Sequence, residues 1–136
     1  MNLKSFAACA TALALLTSPA LAADYLGGVV KSVDIGGKMV LTNADGMTLY
    51  TFDRDVQGQT SNCYDEGESK CATNWPPLLV PANTAVEGDF TLIDRKDSDM
   101  HIVAYKGWPL YLWVRDTAPG QTTGDGVGGV WHTAIE

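Results

Sequence analysis

Gly46-Met-Thr-Leu49-Tyr50-Thr-Phe52-Asp-Arg54-Asp55 and Gly107-Trp-Pro-Leu110-Tyr111-Leu-Trp113-Val-Arg115-Asp116 are two copies of one segment, 61 positions apart. Each carries Tyr-x-aromatic-x-x-Asp behind a leucine. In an extended chain residues i and i+2 share a face. Tyr50 with Phe52, and Tyr111 with Trp113, therefore point to one side, and Leu49 and Leu110 to the other, so both faces of this strand are covered. Asp55 and Asp116 fall where the strand ends, where a carboxylate accepts backbone N–H groups of the following turn. These residues read first as core and turn cap, and only second as a ligand surface.

The duplication extends outward from this motif. Upstream, Met39-Val-Leu41 meets Met100-His-Ile102 at the same offset; downstream the register slips by one, and Gly58-Gln59-Thr60 meets Gly120-Gln121-Thr122. Trp75 before Pro76 corresponds to Trp131 before His132, with a longer insertion in the first copy. Short apolar, β-branched runs separated by turn residues predict strands at Val29 to Val33, Met39 to Thr42 and Thr48 to Phe52, then at Asp89 to Ile93, Met100 to Tyr105 and Leu110 to Val114. Asp45-Gly46 and Lys106-Gly107 mark the second hairpin turn of each copy. No segment past residue 22 has the apolar period of a helix over three turns. The expectation is an all-β fold: a single small domain, residues 23–136, built from two copies of a three-stranded meander at about 28–75 and 88–132. Residues 53–74 and 117–129 are polar or glycine-rich and read as long irregular loops.

Residues 1–22 read as a signal peptide. Lys4 precedes an apolar run from Phe6 to Leu16, then Thr17, Ser18 and Pro19, then a small-x-small site ending at Ala22, with cleavage before Ala23. The run is shorter than the roughly 20 residues a spanning helix needs, and no later stretch matches it, so no transmembrane segment is expected in the mature chain. Cys9 lies inside the apolar run rather than directly after it, which argues against lipidation there. The product is expected in the periplasm or the medium, soluble once processed. In that oxidising setting Cys63 and Cys71 form an even pair and read as a disulfide closing a polar segment that core burial cannot hold.

The net charge is −7 and becomes one unit more negative when Lys4 is removed. That balance argues against nucleic acid and anionic membrane surfaces, both of which need a basic footprint.

Taken together, Tyr50-x-Phe52-x-x-Asp55, Tyr111-x-Trp113-x-x-Asp116, Cys63, Cys71-Ala72-x-x-Trp75-Pro76-Pro77-Leu78, Gly107-x-Pro109-Leu110-Tyr111, Pro119-Gly120 and Trp131-His132 resemble a family of bacterial secreted repeat proteins. The family is named for its Yx(F/W/Y)xxD motif, and its members are often described as predicted lipoproteins. The resemblance covers essentially all of the mature chain and implies export and repeat architecture rather than a particular chemistry. This chain departs from the lipoprotein label in having no convincing lipid-attachment box.

The candidate chemistry is sparse. No nucleophile elbow, zinc-binding His-Glu-x-x-His or lysine-bearing phosphate loop occurs, so no enzyme and no catalytic residue are expected. A hydrolase working through paired carboxylates is the third-ranked reading. The second is a periplasmic copper-type site using His101, His132 and Met100, whose imidazole and thioether groups suit copper. Asp94, Asp97 and Asp99, or Asp53 and Asp55 with Asp65, Glu66 and Glu68, offer oxygen atoms to calcium without an EF-hand spacing and read as solvated acidic turns. The first-ranked reading is a non-enzymatic envelope or secreted module without a cofactor. Tyr64, Trp75 and Trp108 would offer it aromatic surface for an envelope protein, a glycan or a small ligand.

Overall fold

The computed structural model describes residues 22–136. Residues 1–21 of the predicted signal peptide, Cys9 among them, lie outside the described residues; the predicted cleavage junction Ala22–Ala23 falls at their start.

Strands β1 (Ala23–Tyr25), β2 (Val30–Ile35) and β3 (Lys38–Asn43) form an antiparallel sheet in that order. Between β2 and β3, Ile35 pairs with Lys38, leaving Gly36-Gly37 as a two-residue loop with φ of +61° and +85°. Such a loop matches the twist of the flanking strands only if both central residues take positive φ, which glycine does without steric cost. Asp34 Oδ1 accepts the Gly37 N–H at 2.9 Å and closes the turn. Then follow β4 (Tyr50–Phe52), a single helical turn α1 (Cys71–Asn74), β5 (Leu79–Val80), β6 (Phe90–Asp94), β7 (His101–Tyr105), β8 (Trp108–Pro109) and β9 (Trp131–Thr133). β7 pairs with β6 on one side and with β5 and β8, end to end, on the other; β4 pairs with β9.

The fold is thus nearly all-β, with two meanders β2-β3-(Thr48) and β6-β7-β8 as expected. Two local expectations change. Residues 71–74 make one helical turn beside the disulfide, too short to show a helical period. Leu110 to Val114 is not one continuous strand. Only Tyr111 makes ladder bridges, to Tyr50 and Pro77, while Leu112 and Val114 donate to the carbonyls of Pro76 and Asn74.

Equivalent hydrogen bonds define how the copies superpose. Leu49 N–H donates to Leu41 O, Leu41 N–H to Ala134 O and Ala134 N–H to Leu49 O, each at 2.9 Å. Leu110, Val103 and Leu78 repeat the same three-way cycle, again at 2.9 Å. Leu41 therefore corresponds to Val103, not to Ile102, and Met39 to His101, not to Met100, one residue away from the sequence alignment. The cause is the hairpin at Asp45-Gly46. Asn43 Oδ1 accepts the N–H groups of Asp45 and Met47 and holds a turn one residue longer than the tight Lys106-Gly107 turn of the second copy.

The motif strands separate two cores, as the alternation of their side chains requires. Leu49 and Leu110 join Val30, Leu41, Leu78, Val80, Phe90 and Val103 on one side. Tyr50, Phe52 and Tyr111 join Cys63, Trp75, Ile93, Ile102 and Trp131 on the other. Replacing a fully buried leucine such as Leu41 or Leu110 by alanine in cores of this kind costs about 2–5 kcal/mol.

Candidate functional site

The two motifs meet at the centre of the molecule. Tyr50 and Tyr111 exchange both backbone hydrogen bonds, N–H to carbonyl, at 2.8 and 2.9 Å. From that shared point their side chains cross. Tyr50 Oη donates to Asp116 Oδ2 at 2.5 Å, and Tyr111 Oη donates to Asp55 Oδ2 at 2.8 Å. The tyrosine of each copy is thus tied to the aspartate of the other. The second oxygen of each carboxylate caps the loop that follows it, as expected for an aspartate at a strand end. Asp55 Oδ1 accepts the N–H of Asn62, and Asp116 Oδ1 accepts the N–H and hydroxyl of Thr123. All four side chains are buried, the tyrosines completely. Burial and the neighbouring carboxylates push both phenols up, so each remains a donor across the physiological range.

The aromatic partners obey the same crossing. Phe52 of β4 stacks on Trp131 of β9 (ring centroids 4.2 Å apart), and Trp113 stacks on Trp75 (3.9 Å). The two central indoles, Trp75 and Trp131, lie face to face at 3.8 Å and within 2° of parallel. The result is a four-ring column, Phe52, Trp131, Trp75, Trp113, with Tyr50 set edge-on against Trp75 and Tyr111 against Trp131. Trp75, expected as an exposed platform, is 5% exposed at the middle of this column. Gly124 leaves the space the column needs, since a Cβ there would sit 2.8 Å from the Tyr50 ring and 2.9 Å from Trp75. That role is invisible in a loop that reads only as turn residues.

The copies differ in what surrounds the crossed pairs. Around Asp55, Ser61 Oγ lies 2.6 Å from Tyr111 Oη and accepts from Arg95 Nη1 at 2.9 Å; Arg95 also donates to the Cys63 carbonyl and, bidentately, to Asp97. Arg95 is 4% exposed, although its segment Asp94-Arg95-Lys96-Asp97 reads as a solvated turn. Its guanidinium lies 4.1 Å from the Tyr64 ring centroid and the Lys96 ammonium 4.4 Å from it, so this aromatic is occupied as well. The Cys63–Cys71 disulfide holds the loop against that network. Desolvation pushes the Asp55 carboxyl up to about 6, against the lowering effect of the Asn62 and Tyr111 hydrogen bonds and of Arg95. Arg95 in turn holds Asp97 below the usual carboxylate range.

The metal candidates do not converge. His101 on β7 pairs with Asp94 at 3.1 Å, and His132 on β9 pairs with Asp53 at 2.8 Å. Met100 is 39% exposed, and the corrected register removes its equivalence to Met39. Of the acidic residues offered to calcium, Asp65 accepts from Thr73, Glu66 pairs with Lys96, and Asp97 with Arg95. Among the described residues no three His, Cys, Asp or Glu side chains come together as an ion site. Trp108 is half-buried at the β7–β8 turn.

The open end of the column is a surface cleft. Trp113 is half-buried and lines a cleft of about 520 Å³ with Arg115, Thr123 and Val127. At the other end Phe52 is only 7% exposed.

Two stretches, residues 32–79 and 91–135, match the family model described as a secreted repeat of unknown function. No curated protein matches the chain, and no solved structure does. Among the described residues no helix is long and apolar enough to cross a membrane.

Proposed function

Because the chain belongs to the family of secreted repeats of unknown function, matched in both of its copies, we propose that it is an exported, non-enzymatic module of the envelope or its surroundings. In this reading it binds an envelope protein, a glycan or a small ligand in the periplasm or the medium, and uses no cofactor. The observation that carries the reading is the crossing of the two Tyr–Asp pairs. The residues that define the repeat are buried and hydrogen-bonded to one another. They lock the copies together and hold both motif aspartates away from solvent. A rigid scaffold with its polar groups satisfied is suited to presenting surface.

Three measurements test this. Mature protein purified without a chelating tag is analysed for metal and titrated with copper(I), copper(II) and zinc; tight stoichiometric copper binding that falls with His101→Ala or His132→Ala would replace the module by a metal carrier. The protein is also incubated with glycan, peptide and ester substrates, where turnover lost in Asp55→Asn or Asp116→Asn would replace it by a hydrolase. Saturable binding to purified envelope components, with neither of those outcomes, supports the module.

A further inference from the structure

The column has two ends that pseudo-symmetry would make alike, and they are not. Phe52 and Trp113 occupy equivalent positions, each stacked on the tryptophan of the other copy. Phe52 is closed over, whereas Trp113 lines a cleft between the end of its own motif segment and the glycine-rich loop that carries Thr123 and Val127. One face of its indole is fixed by Trp75, which holds the ring in place.

The cleft also carries a basic group. Arg115 is exposed and its guanidinium lies 5.7 Å from the Trp113 ring centroid. The ion pairs among the described residues involve Arg95, Lys96, His101 and His132, not Arg115. The adjacent carboxylate, Asp116, is turned inward to Tyr50 and Thr123. A guanidinium without a salt-bridge partner among the described residues therefore lies over an indole whose other face is stacked on Trp75. The Thr123 hydroxyl, donating to Asp116, keeps lone pairs that can accept from a ligand.

We propose that this cleft binds a sugar ring carrying a carboxylate, of the uronic or muramic type. On binding, the Arg115 fork turns from the ring to the carboxylate, the indole face it leaves takes the C–H face of a pyranose, and Thr123 accepts from a ring hydroxyl. A neutral sugar leaves Arg115 unused, and a simple carboxylate leaves the indole unused, so the pairing selects a ligand with both features. This inference rests on the module reading and names its ligand class.

The test uses the mature, disulfide-bonded chain, with the indole N–H signals followed by NMR and the Trp113 signal assigned through Trp113→Phe. Glucuronate and N-acetylmuramate are titrated beside glucose, N-acetylglucosamine and acetate. The acidic sugars are expected to shift the Trp113 signal saturably and more tightly than the neutral ones, with acetate silent. Arg115→Gln is expected to lower glucuronate affinity about fivefold, the scale of one exposed ion pair, and to leave glucose unchanged. Arg115 is a surface residue, so this variant reports on binding without a folding defect. Equal affinity for acidic and neutral sugars, an acetate response equal to that of glucuronate, or no shift of Trp113 overturns the proposal. Such a failure leaves the module reading standing, since that reading falls only to the copper and turnover results described above.

Discussion

Replacing Tyr111 by phenylalanine removes one hydroxyl and nothing else, yet that hydroxyl joins the two halves of the molecule. It donates to Asp55 at 2.8 Å and lies 2.6 Å from Ser61 Oγ, in a site where Tyr111 is fully buried and Asp55 is 6% exposed. A hydrogen bond to a charged group is worth about 1.5–3 kcal/mol, and a buried acceptor left without its donor bears the full cost of desolvation. Tyr111→Phe should therefore destabilise by about 2–3 kcal/mol. Tyr50→Phe should cost a similar amount, because Asp116 keeps two bonds from Thr123 but the buried Gly124 N–H loses its acceptor. The sharper quantity is the coupling. Double-mutant cycles with Asp55→Asn and Asp116→Asn should give about 1–2 kcal/mol for the crossed pairs Tyr111/Asp55 and Tyr50/Asp116. The pairs within one motif, Tyr50/Asp55 and Tyr111/Asp116, should lie within about 0.5 kcal/mol of zero. Urea unfolding at pH 8, where Asp55 is ionised, followed by tryptophan fluorescence with the m-value held common, measures each corner of the cycle. Coupling that is larger within a motif than across motifs would refute the crossed arrangement, as would a Tyr111→Phe variant as stable as the parent.

Reducing the Cys63–Cys71 bridge should lower stability by about 2–3 kcal/mol on the chain-entropy scale for a loop of this size, seen as a fall in the urea midpoint on adding dithiothreitol. Gly124→Ala should cost about 1–3 kcal/mol and weaken the near-UV circular dichroism of the indole column, because its Cβ would sit within 3 Å of the Tyr50 and Trp75 rings. The pH dependence carries a definite sign. The Asp55 pKa is raised from 3.8 to about 6 in the folded protein, so the native state binds the extra proton between those values. The Asp55 contribution is therefore fully present below about pH 4 and lost as pH rises through about 6. Relative to Asp55→Asn, the parent should gain stability on going from pH 8 to pH 4.5. Glu136 and Asp97 act the other way. Their carboxyls are held low, by Ser32 and Tyr25 and by Arg95 respectively, and their stabilisation fades as pH falls through their lowered folded values. A flat difference between parent and variant across pH 4.5–8 would contradict the raised Asp55 pKa.

Much of the fold was legible in the sequence because its determinants are local. Alternation about Leu49-Tyr50 and Leu110-Tyr111 assigns one residue to each of two cores, and the structure uses them so. Gly36-Gly37 and Lys106-Gly107 encode tight turns through the φ they permit. The pairing of Cys63 with Cys71, and the correspondence of Trp75 with Trp131, follow from composition and repetition. The misalignment of Met39 with Met100 has a local cause too, one extra residue in the Asp45-Gly46 turn, but hydrogen bonds rather than residue types reveal it.

What the sequence could not decide is which copy each motif serves. A tyrosine and an aspartate five residues apart read as neighbours, whereas the ladder between Tyr50 and Tyr111 sets the strands antiparallel and sends each side chain to the other copy's loop. Sequence periodicity encodes the face a side chain takes, not the partner strand that lies beyond it. The same reason hides Arg95, charged and set among acids, which only tertiary packing carries to Ser61 and the Cys63 carbonyl. It also hides the difference between Phe52, closed over, and Trp113, left beside an open cleft. The repeated segment quoted at the outset thus determined an all-β duplicated core by its alternation alone. The crossing of its tyrosines and aspartates, and the single open end of the aromatic column, were decided by how the two copies pack.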